Sequence, residues 1–130
     1  MELNLQLRNQ FFDTIELKRN ITTETQIELE TRYDYSVNYA DDAKSCLAKL
    51  TCEIRSKDNP ELLYVKLVNL GIFDGDGLDT DEGKLEAHIE CNRILFPYTQ
   101  YMVASLAVHA GFPPIYIQNQ TVKKENVIIN

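Results

Sequence analysis

Residues 27–39 read IELETRYDYSVNY, and Ile27, Leu29, Thr31, Tyr33, Tyr35, Val37 and Tyr39 fall on alternate positions. The residues between them, Glu28, Glu30, Arg32, Asp34, Ser36 and Asn38, are all polar or charged. Successive side chains leave a strand on opposite sides, so this period of two marks a long antiparallel strand with one face against a core and the other in water. The face carrying Glu28, Glu30 and Asp34 is therefore expected to be solvated, and the Tyr-rich face to meet the rest of the protein.

The same period extends in both directions from this stretch. Upstream, Leu3, Leu5 and Leu7 alternate with polar residues, the Phe11-Phe12 pair interrupts the pattern as a bulge does, and Ile15 and Leu17 resume it. Downstream, Asp41-Asp42 breaks the strand, after which Cys46, Ala48, Leu50, Cys52 and Ile54 alternate with Ser45, Leu47, Lys49, Thr51 and Glu53. Residues 57–61, KDNPE, carry turn chemistry, and residues 62–73 read as a fourth strand that makes a hairpin with the third. At Asp74-Gly75-Asp76-Gly77 the pattern changes to an acidic loop, and Asp79, Thr80 and Asp81 supply capping and first-turn charge for a helix to about Cys91.

A 3.6-residue period then runs through Ile94, Leu95, Tyr98, Met102, Ser105, Leu106 and His109, with Pro97 near a helix start and Gly111 past its end. Tyr101, Val103, Ala104, Ala107 and Val108 make the remaining faces largely apolar, more than a helix lying on one sheet requires, so a second partner is expected there. Phe112-Pro113-Pro114 forces an extended segment. The sum is an α+β domain, a four-stranded antiparallel meander with helices packed on one face. One domain occupies residues 1–130, divided as sheet 1–73, acidic loop 74–83, helical region 84–111 and extended segment 112–130.

Composition narrows the function. The chain has 130 residues, 13 Lys plus Arg against 20 Asp plus Glu, and a net charge of −7. Phosphate neutralisation needs clustered cations, so nucleic acid is not an expected partner, and basic partners fit better. The start MELNLQLRNQ has no cationic and apolar leader, and the longest apolar run, 102–108, is too short to span a bilayer. A cytosolic protein with no membrane insertion is expected, its three cysteines (Cys46, Cys52, Cys91) reduced.

No constellation argues for catalysis or for a bound group. Asp74, Asp76, Asp79, Asp81 and Glu82 place Leu78 and Asp79 where a helix-loop-helix calcium site wants an oxygen ligand and a glycine. His88 and Cys91 are three apart on a helix but lack a second ligand pair and an orienting group. No metal, no cofactor and no catalytic residue is expected. A small-ligand site or enzyme with His88 and Cys91 at a groove is the alternative reading. The Tyr33, Tyr35, Tyr39 row suits either a core face or a surface that takes apolar chain segments while staying soluble.

The run Cys91-Asn92-Arg93-Ile94-Leu95-Phe96-Pro97-Tyr98, followed by Gly111-Phe112-Pro113-Pro114-Ile115 and preceded by Leu70-Gly71-Ile72-Phe73, resembles the SecB protein-export chaperone family. That resemblance implies an ATP-independent holdase, a homotetramer built as a dimer of dimers, binding unfolded or aggregation-prone polypeptides in apolar grooves. By position, Ile27, Leu29 and Thr31 match the family's groove, with Tyr33 and Tyr35 extending it. Val65, Leu67 and Asn69 match positions implicated in joining dimers, to which the apolar helix adds Tyr101 and Val108. Glu28, Glu30 and Asp34 would form the acidic face on which the SecA motor docks.

The chain departs from the family at Gln100, where Arg is usual, at Gln120-Thr121-Val122, which lacks the usual start of a last helix, and at Lys66, where an acidic motor contact is usual. No long tail follows Asn130. These departures weaken the expectation of SecA docking. They also fit the SecB-like chaperones that guard an antitoxin in toxin–antitoxin systems.

Overall fold

The computed structural model describes residues 4–20, 28–57, 59 and 61–118. Four strands, β1 (Gln6–Arg19), β2 (Leu29–Tyr39), β3 (Ser45–Ser56) and β4 (Leu63–Asp74), precede one helix, α1 (Asp81–His109). All strand pairs are antiparallel, so the α+β class stands, but the sheet order is β1-β4-β3-β2. Only β2, β3 and β4 meander; β1 crosses to the far side and pairs with β4. The expected four-strand meander is corrected in that respect. The physical reason lies in β4, whose inner face is buried from Leu63 to Phe73 and whose outward Val68 is buried too. Such a strand needs a neighbour on each edge.

β1 carries register shifts between Leu7 and Asn9 and between Phe12 and Thr14, one on each side of the Phe11-Phe12 pair. Each shift exchanges the faces of the residues beyond it. Leu7, Phe12 and Leu17 thereby all pack against the core on the helix side, while Phe11 lies opposite Leu70 on the other face.

The core lies between the sheet and α1. Cys46, Ala48, Leu50, Cys52 and Ile54 of β3 and Leu63, Val65, Leu67 and Phe73 of β4 meet Ala87, Cys91, Leu95, Phe96, Val103 and Ala107 of α1. Gly71 marks the closest approach, because a Cβ there would sit 2.7 Å from Leu95 Cδ2. Beside it the fully buried Asn69 amide donates to the Leu95 carbonyl (3.0 Å) and to Thr99 Oγ1 (3.1 Å), and its oxygen accepts from Gln10 Nε2 (2.7 Å). A buried amide with all these partners orients the helix where apolar contacts alone permit sliding.

α1 is a single helix of 29 residues, where the sequence suggested a break before Pro97 and a helical region beginning at residue 84. It begins inside the acidic stretch because Thr80 is the N-cap, its hydroxyl accepting from the Gly83 amide, with Asp81 and Glu82 in the first turn. Pro97 cannot donate to the Arg93 carbonyl, yet both residues lie on the exposed side, where a carbonyl without a helix partner costs least because solvent can reach it. The helix closes with Gly111 at φ 89° and the Phe112 amide bonded to Ala107 O at 2.9 Å. Arg19 of β1 donates to Ala110 O (2.8 Å) and lies 4.8 Å over the Phe112 ring. Beyond it the chain runs extended, with Phe112, Ile115 and Ile117 on the core and Gln100 Nε2 donating to Ile117 O at 3.0 Å.

Ile27, Asp58, Pro60, the Gln120-Thr121-Val122 segment and the rest of residues 119–130 lie outside the described residues. Among the described residues no helix is long and apolar enough to cross a membrane.

Candidate functional site

The alternation of β2 sends its odd-numbered side chains toward α1, but the helix covers only part of the row. Tyr39 donates to Lys84 O at 2.8 Å with the Lys84 ammonium 5.3 Å over its ring, and Tyr35 donates to His88 O at 2.6 Å. The Tyr35 ring meets the His88 ring edge-on at 4.8 Å between centroids, and Tyr33 lies 5.6 Å from Phe96. Burial favours the neutral phenols. It pushes Tyr35 and Tyr39 far above the usual tyrosine range and Tyr33 up to about 12.

Toward its start β2 emerges from under the helix. Leu29 is 38% exposed and Thr31 is exposed too, while Tyr33 sits half-buried on the cluster that also receives Phe112 and Ile115. Leu29, Thr31 and Tyr33 thus form an open strip of mixed apolar character beside the extended segment that follows α1. Tyr35 is already docked on the helix and belongs to the floor of the strip rather than its open surface.

Residues expected at an oligomer interface divide into two groups. Val65, Leu67 and Asn69 are buried on the inner face of β4 beneath α1, so no second copy reaches them while the helix is in place. That part of the sequence reading is corrected, because the inward-facing set of β4 is the odd-numbered one. Tyr101 and Val108 are 74% and 52% exposed, and with Tyr98 and Ser105 they follow a 3-4-3 spacing along the outer side of α1, a row that Ile94 continues toward the core. This spacing gives a straight seam to a partner helix.

The opposite sheet face holds Glu28, Glu30 and Asp34, all exposed. Arg55 Nε lies 3.2 Å from Glu30 and Lys57 Nζ 3.9 Å from Glu28, so this face is a mixed-charge surface rather than a purely acidic one. The sequence reading also missed an apolar band there: Phe11, Leu47, Leu70 and Ile72 share that face across β1, β4 and β3. Its signal was present in Leu47, the one large apolar residue among the outward positions of β3, and in the apolar run Leu70-Gly71-Ile72-Phe73 of β4.

His88 and Cys91 do not converge on one site. The His88 ring packs on Tyr35 and burial holds its pKa below the ordinary value. Cys91 is fully buried with its sulfur 3.9 Å from Cys46 Sγ. The hydrogen bond with Cys46 and burial push the Cys91 thiol far above its ordinary range, the reverse of what a nucleophile needs. Among the described residues no group of three or more His, Cys, Asp or Glu side chains gathers as for a metal ion.

A family described as "Preprotein translocase subunit SecB" matches residues 5–122. The protein-export protein SecB of Ruegeria sp. (strain TM1040) is 28% identical over 127 residues, covering 91% of this chain and 77% of that one. That of Roseobacter denitrificans is 26% identical over 116 residues, covering 87% and 70%. Among solved structures, a Mycobacterium tuberculosis SecB-like chaperone in complex with a ChAD peptide from an antitoxin superposes with a TM-score of 0.74, covering 92% of each chain at 13% identity. At that identity the likeness is one of fold.

Proposed function

The chain belongs to the SecB family, and from that premise we propose that it is an ATP-independent holdase that binds unfolded or aggregation-prone polypeptides. The observation that carries the reading beyond family membership is the open strip Leu29, Thr31 and Tyr33, a row with a docked aromatic floor and an exposed end. Full burial of one such side chain by a cargo segment gains about 1.5–3 kcal/mol, which the ordering of a flexible chain largely offsets. One strip therefore holds cargo weakly, and several strips on one particle supply avidity.

A homotetramer arranged as a dimer of dimers satisfies that need. The seam of Tyr98, Tyr101 and Val108 on α1 is the surface offered to a second copy. Val65, Leu67 and Asn69 bear on assembly through the helix they hold in place, not by touching the other copy. No catalytic step belongs to this reading, and the site is a cytosolic one with neither cofactor nor nucleic acid. Cargo on its way to export, passed to SecA, and an antitoxin segment are the two partner classes. The ion-paired state of Glu28 and Glu30 and the apolar band beside them speak against a docking surface for SecA that depends on acidic charge alone.

The test is aggregation of a chemically denatured client on dilution, followed by turbidity without nucleotide. The intact protein suppresses it in proportion to its concentration, and Leu29→Ser combined with Tyr33→Ser weakens the suppression. Turbidity unchanged by the intact protein refutes the reading.

A further inference from the structure

Backbone parity on β2 points to how cargo is held, and the inference rests on the holdase reading above. In an antiparallel ladder the N–H and C=O of one residue point to the same side, and the side alternates along the strand. The Lys57 amide donates to Glu28 O at 2.8 Å, and the Ala40 amide donates to Ser45 O at 3.0 Å. These bonds bracket β2, whose register with β3 runs through eleven pairs from Leu29 to Tyr39 without a shift. Even-numbered residues therefore spend their main-chain groups on β3. Leu29, Thr31, Tyr33, Tyr35, Val37 and Tyr39 turn theirs to the other side, and among the described residues no strand lies there.

The same odd-numbered residues send their side chains to the helix side of the sheet. Free main-chain bonding capacity and the open strip of Leu29, Thr31 and Tyr33 thus belong to one set of residues. β1, the other edge, has its parity reset twice by its two register shifts, which break its edge into short runs. β2 offers one continuous run.

We infer that cargo is captured as an added strand on the free edge of β2, recognised through its own main chain. The occupant is an extended segment of unfolded polypeptide with an apolar residue at every second position. Those residues fall beside Leu29, Thr31 and Tyr33, while the alternate ones fall on the charged face beside Glu30, Arg32 and Asp34, where, with Glu30 already paired to Arg55, the Asp34 carboxylate is a group that favours Lys or Arg. Main-chain pairing is indifferent to sequence, as a binder of many unfolded chains requires, and the alternation supplies the selection.

The test uses a fluorescent peptide of alternating Ile and Lys and two versions of it, N-methylated either on every Ile or on every Lys, titrated with the intact protein and followed by anisotropy. Only one alternate set of amides in an added strand bonds to β2. One methylated version is expected to lose at least tenfold in affinity and the other to keep it. Loss in the Ile-methylated version reports antiparallel addition, and loss in the Lys-methylated version reports parallel addition; either supports the inference.

Equal affinity of the two versions, whether both bind or both fail, overturns the added strand and leaves the holdase reading in place. No binding of the unmethylated peptide, together with no suppression of client turbidity, overturns both. On the protein side, Thr31→Pro removes an N–H that faces the free edge and no bond to β3, a change edge strands accept. It is expected to weaken the unmethylated peptide at least tenfold with the circular dichroism spectrum retained. A fall in particle mass for Thr31→Pro by light scattering assigns the edge to a second copy and overturns the inference.

Discussion

Asn69→Ala measures what holds α1 on the sheet. The substitution removes two buried hydrogen bonds, to Leu95 O and Thr99 Oγ1, and a third accepted from the half-buried Gln10 amide. A hydrogen bond contributes about 1 kcal/mol net, while a polar partner left buried and unpaired costs about 1–3 kcal/mol. Here the damage is softened, because Thr99 lies one turn after Leu95 and its hydroxyl can turn to that carbonyl, and the Gln10 amide is near water. The expected loss is about 2–3 kcal/mol, which for a chain of this length lowers Tm by about 6–12 °C.

Urea unfolding at one fixed protein concentration, followed by circular dichroism, measures this loss, and the fixed concentration matters because an assembling protein gains stability by mass action. Thr99→Val is the comparison, since it removes one partner and leaves the Asn69 amide bonded to Leu95 O; its expected cost is about 1 kcal/mol. If Asn69→Ala costs no more than Thr99→Val, the buried network does not fix the helix and the reasoning fails.

Tyr101→Ser leaves the inner face of α1 untouched, so light scattering is expected to show a smaller particle while circular dichroism at high protein concentration stays unchanged. Gly83→Ala should lower stability although alanine is the better helix former, because a Cβ at 83 would meet the Gly77 carbonyl oxygen at 1.7 Å; a rise in urea midpoint contradicts this. Arg19→Ala removes the bond to Ala110 O and the cation over Phe112, costing about 1 kcal/mol and raising amide exchange at residues 111–117, with no change elsewhere. Tyr33 keeps its proton up to about 12 in the folded chain against 10.0 unfolded, with Tyr35 and Tyr39 raised further. Stability is therefore full below pH 10 and is lost as pH rises from 10 toward 12, because the unfolded chain releases these protons first. Tyrosinate absorbance and circular dichroism should change together in that range.

The fold class was legible because residues 27–39 alternate without interruption, residues 45–54 do so with Leu47 as the one exception, and the period changes after Asp74. Strand order was not legible. Alternation states which face a side chain takes and is silent about which strand lies alongside, so β1 beside β4 carries no local mark. The family resemblance offered Val65, Leu67 and Asn69 as an interface, and alternation could not check it: on a strand apolar at most positions the pattern does not say which set faces the helix, and the structure buries this set beneath it. Pro97 suggested a helix start because proline is common there, and the fold accepts it mid-helix because it stands on the exposed side. Of the candidate strip, the shared face of Leu29, Thr31 and Tyr33 was legible in the alternation, while their reading as a groove came from the family resemblance. The docking of Tyr35 and Tyr39 onto helix carbonyls was not, since it depends on where α1 crosses the sheet.

The three thiols make the molecule its own recorder of motion. Cys46 and Cys91 touch across the junction of β3 and α1, and Cys52 lies further along β3 directly across from Tyr33. All three are buried, so an alkylating reagent reaches each only when its own neighbourhood opens. A pulse of reagent followed by mass spectrometry of the peptides then separates two events that global unfolding merges. Labelling of Cys46 and Cys91 together reports the first half of the helix leaving the sheet. Labelling of Cys52 alone reports loosening beneath the open strip, the place where an arriving cargo chain first acts.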